Sequence, residues 1–69
     1  MHIEWEQDYL IKVGVRDGEV TISANREGLL SLSRIFADLA EEKPGTHIHL
    51  DEHNSLKEGS TELIVERLE

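Results

Sequence analysis

The residues best suited to chemistry lie together in the segment 47–53. His47, His49 and Asp51 alternate with apolar residues, and His53 follows two positions later. In a β-strand, side chains two positions apart share a face at a spacing of about 6.6 Å, so two imidazoles can approach one ion. Two His and a carboxylate suit zinc or ferrous iron. One hypothesis is therefore a small metal-binding domain that uses His47, His49, Asp51 and His53.

The same alternation is also typical of an exposed polar strand face. An antiparallel sheet can bury one face and leave the other in water, which produces alternating polar and apolar residues. His47 and His49 would then pair with Glu62 or Glu66 on a neighbouring strand. The sequence leaves both arrangements open.

Motifs for catalysis are absent from the sequence. It contains no nucleophile elbow, and the glycine-containing segment 14–18 is followed by no helix that could complete a phosphate-binding loop. Carboxylates are plentiful, but they form no paired acid motif. We predict a protein that is not an enzyme and that needs no cofactor.

Composition narrows the classes further. The 69 residues include 15 Asp and Glu but 7 Lys and Arg, which gives a formal net charge of −8. This length holds one domain, placed at residues 1–69. The acidic charge argues against nucleic-acid binding, because phosphate contacts need clustered Lys and Arg. The absence of Cys excludes disulfides and thiolate zinc sites. With no signal peptide and no membrane-spanning run, we expect a cytoplasmic protein that has no membrane partner.

The elements that position these residues begin with a predicted β-hairpin. Residues 10–24 form two alternating runs separated by Asp17-Gly18. Asp-Gly favours a two-residue type I′ turn, since both central residues of that turn have positive φ. Such a turn sets Arg16 opposite Glu19 and brings all the apolar side chains of the hairpin to one face.

A helix is expected after the hairpin. Asn25 is a typical N-cap residue, and helical spacing continues over residues 26–42 until Pro44 ends it. The apolar stripe of this helix, expected to face the core, consists of Leu29, Leu32, Phe36 and Leu39.

Two further strands are expected, over residues 46–51 and 60–68. The order β-β-α-β-β predicts an α+β fold of two layers, with one helix packed on a four-stranded, mainly antiparallel sheet. Antiparallel neighbours throughout would require the strand order 2-1-3-4 or 1-2-4-3. The sheet face that the helix leaves open is the largest candidate functional surface.

Three segments together resemble a known family. They are ANREGL at 24–29, PGTHIHLDE at 44–52 and LKEGSTELIVE at 56–66. In order and spacing they resemble the small immunity-protein family of bacterial polymorphic toxin systems that is numbered thirty-two. The resemblance implies a protein that binds and neutralises a partner toxin, and it implies no catalytic site.

The resemblance and the charge together give a predicted partner and surface. We expect a cognate protein toxin, basic in charge, to bind the acidic or open-sheet surface. The candidate partner-binding residues are His47, His49, Asp51, Glu52, Glu62 and Glu66. A further alternative is a homo-oligomeric structural module, such as a homodimer, which would associate through the open face that carries Ile64.

Overall fold

A β-hairpin forms the first regular structure in this computed structural model, which describes residues 2–69. β1 (Ile11–Arg16) pairs antiparallel with β2 (Glu19–Ala24). Asp17 and Gly18 form the turn with φ values of 52° and 80°, as a type I′ turn requires. Arg16 lies opposite Glu19. The predicted hairpin and its register are confirmed.

The helix follows at once and is capped by Asn25. α1 (Arg26–Leu39) begins where the Asn25 side chain accepts a hydrogen bond from the Gly28 amide at 2.7 Å. The same Oδ1 accepts a hydrogen bond from the Leu10 amide at 3.0 Å, and Nδ2 donates to the Asp8 carbonyl at 3.0 Å. Asn25 therefore fixes the start of α1 to the segment that enters β1. The helix ends three residues before its predicted end at residue 42.

A second hairpin follows α1. β3 (His47–Leu50) pairs antiparallel with β4 (Leu63–Glu66). Hydrogen bonds between residues 45–46 and Arg67 continue the pairing beyond the strands. β4 is shorter than the predicted strand over residues 60–68.

Residues 2–69 do not form the single four-stranded sheet that the sequence predicts; they form two separate two-stranded sheets. A short segment before β4 lies along the edge of β1 that β2 leaves free. The amides of Lys57 and Thr61 donate to the carbonyls of Ile11 and Val13, each at 2.8 Å, and the Val13 amide donates to Ser60 Oγ at 3.1 Å. The hydroxyl of Ser60 accepts this bond in place of a backbone carbonyl, so residues 57–61 and β1 do not form a regular β-ladder. Neither predicted strand order describes this contact between β1 and residues 57–61, which we call the joint between the two sheets.

The core lies between α1 and the inner faces of both hairpins. Leu32 and Leu39 are buried as predicted, and Ile35 is buried with them. Leu29 and Phe36, also predicted for the core, are exposed, because the buried side of α1 is rotated away from them toward Gly28 and Ser31. The buried core cluster consists of Ile11, Val13, Leu32, Ile35, Ile48, Leu50 and Leu56.

The N-terminal segment, residues 2–10, packs against this core without forming a strand. Trp5 and Tyr9 stack with ring centroids 4.6 Å apart, and both are partly buried against the core. The Glu6 amide donates to the buried hydroxyl of Ser31 at 2.9 Å, and the Glu6 carboxylate forms an ion pair with Arg34. In the described residues 2–69, no helix has the length and hydropathy needed to cross a membrane.

The first prediction concerns the close packing of α1 on the hairpin at Gly28. A methyl group at this position would lie 2.5 Å from the Leu10 carbonyl oxygen and 2.9 Å from Ile11 Cγ1. Gly28→Ala should therefore lower the free energy of unfolding by about 1–3 kcal/mol, although alanine favours a helix by about 1 kcal/mol. Urea denaturation measures the change. The exposed control Ser33→Ala should stay within about 0.5 kcal/mol of the wild type. A Gly28→Ala protein as stable as the wild type would contradict the close approach of α1 to Leu10 and Ile11.

The second prediction concerns the joint between the two sheets. Ser60→Ala removes the acceptor of the Val13 amide, and Val13 is buried. An unpaired buried donor costs about 1–3 kcal/mol, so the midpoint of thermal or urea unfolding should fall accordingly. Ser23→Ala, on the exposed face of β2, is the matched control and should change little. Equal midpoints for both variants would show that this hydroxyl does not support the fold.

Candidate partner-binding surface

The candidate surface is the outer face of the β3–β4 hairpin. Ile48 and Leu50 point into the core, so His47 and His49 point outward. His47 lies opposite Glu66, and His49 lies opposite the exposed Ile64. The period of two along each strand therefore brings predicted site residues from two parts of the chain to one face.

The polar side chains on this face contact one another. The His47 and His49 rings meet edge to face with centroids 5.1 Å apart. His49 Nδ1 lies 3.3 Å from a carboxylate oxygen of Glu62, and about half of each of these two side chains is exposed. This contact is a salt bridge when His49 is protonated. The predicted pairing between this strand and Glu62 is present, and both groups remain accessible to a partner.

Asp51 and Glu52 hold the loop that connects β3 to β4. Asp51 Oδ1 accepts a hydrogen bond from the His53 amide at 2.8 Å. One carboxylate oxygen of Glu52 accepts from the Gly59 amide at 2.7 Å, across the base of the loop. These two predicted site residues thus already have acceptor atoms engaged with the backbone. Their direct use by a partner stays a prediction.

The structure brings together only part of the hypothesised metal site. The rings of His47 and His49 are neighbours. The Asp51 carboxylate, by contrast, accepts a hydrogen bond from the loop backbone, and Nε2 of the exposed His53 lies 3.8 Å from a carboxylate oxygen of Glu52. In residues 2–69, no three His, Asp or Glu side chains are grouped so that they could hold a metal ion.

The outer face of the β1–β2 hairpin has a different character. Lys12 and Arg16 line a shallow depression of about 260 Å³ together with the hydroxyl-bearing Thr21 and Ser23. Both hairpins turn apolar residues toward the same core, so each has an outer face that points away from it. The outer face of the β1–β2 hairpin carries Lys12 and Arg16 with Glu19 opposite Arg16, whereas that of the β3–β4 hairpin is rich in His and Glu.

Comparison with known proteins identifies the family. The chain matches the family model described as Immunity protein 32 over residues 19–68, which is 50 of its 69 residues. The chain belongs to the immunity protein 32 family. No curated protein and no solved structure matches it. The match begins at the first residue of β2 and includes α1, β3 and β4. The family predicted from the three sequence segments is therefore confirmed.

The third prediction tests whether Glu52 closes the β3–β4 loop. Glu52→Ala removes the acceptor of the Gly59 amide and should cost about 1 kcal/mol of stability. It should also speed hydrogen exchange of that amide. Glu58→Ala makes the same charge change at an exposed position of the same loop and is the control. Unchanged exchange at Gly59 in the Glu52 variant would contradict this role.

Proposed function

We propose that this protein neutralises a cognate toxin by stoichiometric binding through the outer face of the β3–β4 hairpin. Family membership is the observation that carries the proposal, because the immunity protein 32 model covers the whole of β3 and β4. His47, His49, Glu62 and Glu66 would contact the toxin. Asp51 and Glu52 would hold the adjacent loop in place. The chain would act by occupying a surface of the toxin, without catalysis.

The rigidity of this face supports its use in binding. Ile48 and Leu50 are buried directly beneath the exposed His47 and His49, and β4 pairs with β3 along its whole length. Side chains held on a packed strand lose less conformational entropy on binding than side chains on a mobile loop. The exposed Ile64 adds an apolar contact beside the polar groups.

The charge distribution supports a basic partner. Residues 41–69 hold eight of the 15 Asp and Glu but three of the seven Lys and Arg. A basic partner is attracted to this region over long range, which raises the association rate more than it lowers the dissociation rate. A toxin with a basic groove that binds an anionic substrate would fit this acidic region of the protein.

The fourth prediction tests this surface with two pairs of substitutions of equal charge. Glu62→Gln with Glu66→Gln removes two charges from the proposed face, and Asp38→Asn with Glu41→Gln removes two exposed charges outside it. The probe is the toxin domain encoded by the adjacent gene. At low salt we expect the first pair to slow association by about tenfold and the second pair to have a smaller effect.

Association rates can be measured by biolayer interferometry, with rescue of toxicity by co-expression as the functional readout. Equal slowing by both pairs would place the contact elsewhere on the protein. The absence of any complex or rescue with this toxin domain would overturn the proposed function.

A further inference from the structure

The apolar side of the β1–β2 hairpin is uncovered in the half nearer the turn. Ile11 and Val13 are buried, yet Val15, Val20 and Ile22, on the same face, are 55%, 61% and 39% exposed. The face that α1 covers at the base of the hairpin therefore continues into open solvent toward the turn. Val15 lies opposite Val20, and Ile22 is next to them on the same face, so the three side chains form one exposed apolar patch. Such patches are typical of interaction sites.

The outer edge of β2 is also unpaired. β2 pairs only with β1 within residues 2–69. The pair that closes a two-residue turn, Arg16 and Glu19, exchanges hydrogen bonds, and bonded pairs then alternate along an antiparallel hairpin. The backbone N–H and C=O groups of Val20 and Ile22 consequently point away from β1.

Natural proteins protect such edges with Pro, Lys or a bulge, because an open edge pairs with other strands. β2 (EVTISA) has none of these features. Its one charged residue, Glu19, lies at the turn end.

We propose that β2 is the site at which a second copy of this chain binds, with the two β2 strands antiparallel. A register centred on Thr21 sets Val20 of each copy against Ile22 of the other. In this register all four residues direct their free backbone groups at the other strand. Their side chains share one face, so the exposed apolar surfaces of the two hairpins meet and exclude water.

Charge favours a second copy at this particular place. Two chains of net charge −8 repel each other over most of their surface. The hairpin is balanced, since Lys12 and Arg16 offset Asp17 and Glu19. The β2 sequence is also self-complementary in the proposed register, with no like charges opposite each other. Two molecules can therefore approach here with little repulsion.

This dimer is independent of the proposed toxin surface. The β3–β4 face lies on the other hairpin, and none of its residues takes part in the β2–β2 pairing. The assembly would therefore carry two toxin-binding faces.

The fifth prediction tests the dimer by sedimentation equilibrium across a wide range of concentrations. The wild type should approach twice the chain mass of 7.9 kDa as its concentration rises. Val20→Lys places a charge at the β2 edge and should raise the dimer Kd by at least about tenfold. Ile64→Lys makes the same kind of change at a position 54% exposed on the outer face of β4 and should leave Kd unchanged.

A wild type that stays monomeric at every concentration would overturn the proposal, as would dissociation by Ile64→Lys but not by Val20→Lys. Hydrogen exchange of the wild type gives a second measurement that needs no variant. The Val20 and Ile22 amides should exchange more slowly as concentration rises, and exchange independent of concentration would count against the dimer. Neither result depends on the toxin, so the proposed function is tested separately.

Discussion

The bonding of β1 along both of its edges is the constraint on which the rest of the structure depends. β2 bonds one edge through the hairpin register, and Lys57, Ser60 and Thr61 bond the other. The second set of bonds joins residues nearly 50 positions apart in sequence, so it fixes how the two hairpins meet. With the hairpins fixed, α1 can cover the inner face of both, and seven apolar residues of the described range 2–69 form one buried cluster. The outer faces are left free for a partner.

The family match has a structural consequence at this joint. It begins at Glu19 and so excludes β1 and the N-terminal segment. Yet Ile11 and Val13 are almost fully buried, and their carbonyls accept the bonds that place the segment before β4. The matched region thus provides the proposed binding face, while the unmatched region provides the strand that holds this face to the helix.

Local interactions could be predicted from the sequence, whereas contacts between distant segments could not. Asp17-Gly18 determines the hairpin register through turn geometry alone, and Asn25 caps the helix that follows it. The outward direction of His47 and His49 follows from the period of two. By contrast, periodicity gave no sign that Ser60 would bond β1, since a serine before a strand has many possible partners. It also placed Leu29 and Phe36 in the core, because apolar spacing shows where a stripe runs but not that the neighbouring hairpins cover the side of α1 that includes Gly28 and Ser31.

The stacking of Trp5 on Tyr9 gives the protein an internal reporter of its own local stability. These are the only Trp and the only Tyr in the chain, and their ring centroids lie 4.6 Å apart. The segment that carries them is held by a hydrogen bond to Ser31 and an ion pair with Arg34, at the margin of the core. Release of this segment would separate the rings and hydrate the indole while the hairpins stay paired. The emission of a single tryptophan would then distinguish the opening of the N-terminal segment from global unfolding.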